Sequence, residues 1–150
     1  MKKTISIFIM LSAFIGGINS LSAQNFINIT KGDTTKTKYL DTNQVLVLTL
    51  PANPSTGYGW YVASIDSNVL MQSGDRENVQ EAASRRVGQP GNQVFRFVGV
   101  SAGSTKIKLE YKRQWEKNKA PAQAYSFAIV SAGKYTGTYT PPAKPDNIKN

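Results

Sequence analysis

Leu50-Pro51-Ala52-Asn53-Pro54-Ser55-Thr56-Gly57-Tyr58-Gly59-Trp60 joins two runs of strand character, Val45 to Leu50 before it and Tyr58 to Ala63 after it. Proline holds φ at about −65° and biases the preceding residue toward extended backbone, so Pro51 and Pro54 stiffen the connection. Gly57 admits the positive φ that a reversal of direction needs. Asn53, Ser55 and Thr56 can bond the loop's own backbone. The pattern predicts a stiff loop at one end of a sheet, with the exit aromatics drawn into a core. An ordinary turn accounts for the same residues, so this stretch alone speaks of fold rather than function.

Outward from the loop, the chain reads as strand and turn throughout. Gln24 to Thr30 is a first short strand with Phe26, Ile27 and Ile29 as its apolar residues, and Lys31-Gly32-Asp33 ends it in a turn. Thr34 to Leu40 has the composition of an edge segment, and Asp41-Thr42-Asn43 turns again. The nearly unbroken apolar run Val45 to Leu50 predicts a central strand, buried on much of both faces. Tyr58, Trp60 and Val62 share one face of the next strand, because side chains alternate, and Trp60 is expected in the core on a central strand. Val69-Leu70-Met71 is a further short strand. Gly74 to Val87 is polar and irregular, carries Arg76, Arg85 and Arg86, and has room for a short helix over Asn78 to Arg85.

Gly88-Gln89-Pro90-Gly91 forms a second stiffened loop, followed by a strand over Val94 to Val100 with Phe95 and Phe97 opposite Arg96. After a turn at Ala102-Gly103-Ser104 comes the clearest alternation in the chain. Ile107, Leu109 and Tyr111 point one way and Lys106, Lys108, Glu110 and Lys112 the other, as expected for a strand with one face on a core and one in water. Arg113 to Ala122 is a third loop, and Tyr125 to Val130 is the last strand, with Tyr125, Phe127 and Ile129 on one face. Seven or so short strands without a helical period predict an all-β fold, an antiparallel β-sandwich of immunoglobulin-like type without disulfides.

The 150 residues contain no cysteine, so stability must come from burial and sheet hydrogen bonds. Residues 1–23 read as a secretory signal peptide: Lys2 and Lys3, an apolar run from Ile5 to Ile15, then mostly small residues to Ala23, although Leu21 is larger than the ideal residue before a cut. The apolar run is too short for a membrane anchor, and no later one approaches spanning length. The mature chain is therefore expected to be exported, periplasmic or secreted, with no membrane attachment after signal cleavage. A sandwich domain is expected over residues 24–133. Residues 134–150, rich in glycine, threonine, proline and lysine, are expected to form a flexible tail.

Lysine and arginine number 18 against 9 acidic residues, and loss of Lys2 and Lys3 lowers the formal net charge from +9 to +7. The lysines are spread along strands and tails with no dense block, the pattern of a solvated basic surface, while nucleic acid, acidic polysaccharide and acidic protein are the partner classes such a charge allows. Aromatic and basic residues do not interleave as in an RNA-binding sheet, and no nucleic-acid partner is expected. With no histidine and no cysteine, the usual nucleophile–base pairs and zinc sites cannot be assembled. No phosphate loop or EF-hand spacing is present. A carboxylate pair stays open by composition, since nine acidic residues remain, but none lies in a recognisable pattern; no catalytic residue, no metal and no cofactor is expected, and the chain reads as a binding protein rather than an enzyme.

Taken in order, Asn53-Pro54-Ser55-Thr56-Gly57, Gly88-Gln89-Pro90-Gly91 and Arg113-Gln114-Trp115 resemble the three loops of the chagasin family of cysteine-peptidase inhibitors. Tyr58-Gly59-Trp60 after the first loop and Leu109-Glu110-Tyr111 before the third also match, and the resemblance spans roughly Ile29 to Val130. It implies an immunoglobulin-like sandwich whose loops wedge into the cleft of papain-like cysteine peptidases, a reversible block by a monomer. By position, Asn53 to Gly57 with Tyr58 would lie over the catalytic cysteine and histidine. Gly88 to Gly91 would follow the unprimed substrate side, and Arg113 and Trp115 the primed side. Gln114 stands where the family usually has proline, and Pro90 where it more often has glycine. The alternative is an immunoglobulin-like adhesion module that binds glycan or a surface protein, suggested by basicity and exposed aromatics.

Overall fold

The computed structural model describes residues 25–79 and 90–141. The expected signal peptide, the helix beyond Val79, Arg85, Arg86, Gly88, Gln89 and the last nine residues lie outside these. Nine strands are described: β1 (Asn25–Ile29), β2 (Thr37–Leu40), β3 (Gln44–Ala52), β4 (Gly59–Ser64), β5 (Leu70–Gln72), β6 (Glu77–Val79), β7 (Gly91–Gly99), β8 (Gly103–Lys112) and β9 (Gln123–Ser131). One sheet has the order β1-β3-β7-β5, with β6 also paired to β7; the other has the order β2-β9-β8-β4. Asn78 and Val79, which the sequence allowed as the start of a helix, are strand.

The apolar faces predicted by alternation meet between the sheets. Leu46, Leu48 and Leu50 of β3, Phe95 and Phe97 of β7, Ile107 and Leu109 of β8, and Phe127 and Ile129 of β9 are buried there. Burial of such side chains is worth roughly 1.5–3 kcal/mol each and takes the place of the disulfide that immunoglobulin-type sandwiches often use.

Two expectations change. The sandwich is not wholly antiparallel: β1 runs parallel to β3, and β2 runs parallel to β9. The chain crosses between sheets from β1 to β2 and again from β2 to β3. β1, β2 and β3 therefore form no hairpins with one another, and nothing forces their neighbours to be antiparallel. Trp60 is buried as expected, at 1% exposure, but its strand β4 is an edge and not a central strand. Its burial comes from facing the opposite sheet. Its ring centroid lies 5.0 Å from that of Tyr111 and 5.0 Å from that of Tyr125, and its indole N–H donates to the Pro51 carbonyl at 2.9 Å.

The segment read as a flexible tail lies against the sandwich over residues 134–141. The Tyr135 amide donates to the Gly99 carbonyl at 2.8 Å, and the Thr136 amide to the Thr42 carbonyl at 2.7 Å. Tyr139 meets the ring of Phe26 edge-on at 6.1 Å, and Pro141 sits against Gly74.

Candidate functional site

Strand register decides which loops share an end of the sandwich. β3 rises to Ala52, which pairs with Gly91, the first residue of β7. β4 begins at Gly59, which pairs with Lys112, the last residue of β8. The β3–β4 connection, the entry to β7 and the β8–β9 connection therefore emerge from one end.

The first of these loops is built as its residues predict. Pro54–Thr56 form a 3-10 turn capped by Gly57 in the left-handed conformation, φ 77°. The Thr56 amide donates to the Asn53 carbonyl at 3.2 Å, and the Gly57 amide to the Pro54 carbonyl at 3.0 Å. The Thr56 hydroxyl donates to the Asn53 carbonyl at 2.7 Å, and the Ser55 hydroxyl to the Asn53 side-chain oxygen at 2.6 Å. Below the turn, the Asn53 amide donates to the Tyr111 hydroxyl at 3.0 Å, which ties the loop to the core tyrosine of β8. Pro54, Ser55 and Thr56 are exposed.

The third loop, between β8 and β9, leans on the first. The Arg113 side chain donates from Nε to the Thr56 carbonyl at 3.1 Å, and its guanidinium lies 4.6 Å from the centre of the Tyr58 ring. The same guanidinium pairs with Glu116 at 3.3 Å. Tyr58 stacks in turn on Tyr111 at 5.4 Å. Trp115 is 66% exposed, yet one edge of its indole covers Gly57 so closely that a Cβ there would lie 2.3 Å from a ring carbon. Tryptophan and arginine are among the residue types most enriched in binding hot spots. Asn53, Pro54, Ser55, Thr56, Gly57, Tyr58, Arg113 and Trp115 thus form one continuous ridge.

Of the second loop, Pro90 and Gly91 are described. Gly91 opposes Ala52, so the loop returns to the sandwich directly beside the start of the first loop.

The chain and its fold have counterparts among known proteins. Residues 39–129 match the model of the Chagasin family peptidase inhibitor I42. The chain belongs to the chagasin family. Amoebiasin-2 of Entamoeba histolytica is 29% identical over 102 residues, covering 68% of this chain and 82% of that protein. The solved structure of the cysteine protease inhibitor EhICP2 from Entamoeba histolytica superposes with a TM-score of 0.61 at 25% identity, covering 71% of this chain and 95% of that one. The solution structure of Amebosin superposes with a TM-score of 0.58 at 24% identity, covering 71% and 97%. Membership makes the chain a peptidase inhibitor, not an enzyme.

Three residues that organise this chagasin-family ridge were not singled out for it by sequence. The Gln93 side chain, 2% exposed, accepts from the Trp60 amide at 2.7 Å and donates to the Asn78 side-chain oxygen at 2.8 Å. The Arg76 guanidinium donates to the Trp60 carbonyl and lies 4.1 Å from the centre of the Tyr61 ring. These bonds fill the unpaired edge of β4 at Trp60 and link it to β6 and β7, the strands that flank the second loop. The Tyr111 hydroxyl does the same for the first loop. A signal existed for Gln93. It stands on the inward face that continues through Phe95 and Phe97, and a carboxamide on such a face must find partners. Nothing in the spacing marks Arg76.

Among the described residues, no group of three or more acidic side chains is arranged to hold a metal ion. No helix among them is long and apolar enough to cross a membrane.

Proposed function

We propose that this chagasin-family protein is an exported, reversible inhibitor of papain-like cysteine peptidases, and that its three loops enter the active-site cleft together. Asn53 to Tyr58 would lie over the catalytic groups, Gly88 to Gly91 along the unprimed side, and Arg113 with Trp115 on the primed side. The observation that carries the reading is the brace from Arg113 to Thr56 and Tyr58, which holds two loops far apart in sequence as one ridge with Pro54, Ser55, Thr56 and Trp115 facing out. The kinship with a protein described as a cysteine protease inhibitor supports the choice of target.

The geometry suits a blocker that is not itself cut. A peptidase needs an extended segment whose scissile carbonyl can enter an oxyanion hole. Around the 3-10 turn, the carbonyls of Asn53, Pro54 and Thr56 each accept a hydrogen bond from within the protein. Presenting them to the enzyme would require breaking those bonds and unwinding the turn. Because the loops are braced beforehand, little freedom is lost on binding, and an interface of about 800 Å² per partner is enough for a stable complex.

Purified protein beginning at Gln24 is to be titrated against papain-like and serine peptidases. Inhibition of the papain-like enzymes, none of the serine enzymes, and recovery of uncut inhibitor by mass spectrometry are the expected results. Absence of inhibition across the papain-like panel at micromolar protein would overturn the reading. Export is tested separately, by sequencing the N-terminus of protein recovered outside the cytoplasm. Gln24 is the expected first residue.

A further inference from the structure

Beside Trp115 the third loop arches over the outer face of β8 and encloses a cleft of about 480 Å³, lined by Tyr61, Glu110, Lys112, Arg113, Lys117 and Lys119 among others. Its charges are unevenly matched. Glu110 is shared between Lys108 at 3.2 Å and Lys112 at 3.1 Å. Glu116 is shared between Arg113 at 3.3 Å and Lys119 at 3.5 Å. Two carboxylates thus serve four cations, and Lys117, exposed at the rim, enters no ion pair among the described residues. The hydrogen bonds from Lys112 and Lys108 hold the Glu110 carboxyl below its ordinary pKa.

A cleft with spare ammonium groups between two fixed carboxylates selects its ligand. A dense polyanion laid across it would press its charges against Glu110 and Glu116. Single carboxylates on a protein surface would fit between them and complete the coordination of Lys112, Lys117 and Lys119. Gln114 and Glu116, the chain neighbours of Trp115, line the cleft, so the surface that Trp115 touches lies within reach of it.

We propose that this cleft receives acidic side chains on the rim of the target peptidase, and that it makes the inhibitor associate faster with peptidases whose primed-side rim is negative. The inference rests on the inhibitory reading given above. Charges at the edge of an interface act mainly on the rate of encounter, through long-range attraction that salt screens. Specificity among papain-like enzymes would then lie partly in this cleft, while the ridge supplies the block common to all of them.

The test compares association rate constants for two papain-like peptidases, one with an acidic and one with a basic surface, at low and at high salt. The double variant Lys117→Glu with Lys119→Glu should slow association with the acidic enzyme about tenfold at low salt and change dissociation far less. The difference should shrink toward none at about 1 M salt, where the screening length falls to about 3 Å. Lys134→Glu, at the far end of the sandwich, changes net charge without touching the cleft and should have little effect. Lys117→Gln alone should give a smaller change of the same kind, and it guards against misfolding of the double variant. Equal effects, per unit of charge changed, from the double variant and from Lys134→Glu would overturn the proposal, since a general charge effect would explain both. So would an unchanged association rate accompanied by lost retention on heparin, which would assign the cleft to polyanions. If the unaltered protein inhibits neither enzyme, the inhibitory reading fails as well. If it inhibits both with rates indifferent to salt, only the role of the cleft fails.

Discussion

The indole of Trp115 occupies the space that a side chain at position 57 would need: a Cβ built on Gly57 meets the ring at 2.3 Å. The first loop's glycine and the third loop's tryptophan are thus two halves of one contact. Gly57 is required twice over, because its φ of 77° also lies in the left-handed region. Gly57→Ala should lower stability by about 1–2 kcal/mol for the backbone alone. It should also displace Trp115, so inhibition should weaken by more than the loss of stability accounts for. Thermal unfolding and inhibition constants on the same preparation check this, and unchanged inhibition would count against the contact.

Trp115→Ala separates binding from folding. With two thirds of the side chain in solvent, its removal costs the fold little. A hot-spot tryptophan in a complex is worth about 2 kcal/mol or more, roughly 30-fold in Kd. A large loss of affinity with an unfolding temperature close to that of the unaltered protein is the expected pair of results.

Arg113 acts through its neighbours. Its Nε bond to Thr56, its stacking on Tyr58 and its pairing with Glu116 all lie within the inhibitor. Lysine retains the charge but lacks the planar group that makes all three at once. Arg113→Lys should therefore weaken inhibition by about 1 kcal/mol, roughly fivefold in Kd, by freeing the first loop from the third. Raised amide exchange at Thr56 and Gly57 in the variant would tie the loss to ordering. A variant with unchanged exchange would place the arginine's contribution at the peptidase surface instead.

Much of the sandwich was legible from alternation, and the reason is physical. In β8 the switch between Ile107, Leu109, Tyr111 and the lysines opposite them states which face is wet, and the structure agrees from Lys106 to Leu109, while Glu110, Tyr111 and Lys112 are all partly buried where the strand runs into the third loop. Strand direction leaves no such mark. The parallel pairing of β1 with β3 follows from a crossing between sheets, and Phe26 and Ile27 read the same in either direction. Trp60 showed the same limit: its burial could be read, but not that its strand is an edge. At the ridge, Pro54 and Gly57 encode their own turn because those constraints are local. The partners of Gln93, Arg76 and Arg113 are long-range, and only the folded register brings them together.

Acid should loosen the wet face of the second sheet before the core yields. Hydrogen bonds from Lys112 and Lys108 lower the Glu110 carboxyl, and those from Lys38 and Thr30 lower that of Asp33. A depressed folded-state pKa adds stability that is fully present above the ordinary carboxylate value. That stability is lost as pH falls through the lowered folded value. Unfolding midpoints should therefore be level near neutrality and decline below about pH 4. Lys108→Gln with Lys112→Gln should flatten that decline. Both groups lie at the surface, partly covered by their partners, so the effect is modest and should shrink further in high salt.

Gln93 offers the sharpest test of how the second loop is held. Its carboxamide bridges the Trp60 amide and Asn78 from an almost fully buried position, joining the edge of one sheet to the strands that bracket the loop. Gln93→Leu keeps much of the volume but leaves the Trp60 N–H and the Asn78 oxygen without this partner, a cost of about 1–3 kcal/mol. Gln93→Glu keeps the acceptor for Trp60 and forfeits the donor to Asn78. At neutral pH the glutamate variant also buries a charge, a cost that offsets the retained bond, so it should gain stability relative to leucine as pH falls and its carboxyl protonates. Chemical denaturation of both variants, with inhibition measured alongside, orders the two bonds. Equal stability of the leucine variant and the unaltered protein would mean that β4 is held at Trp60 by the Arg76 bond and by packing alone.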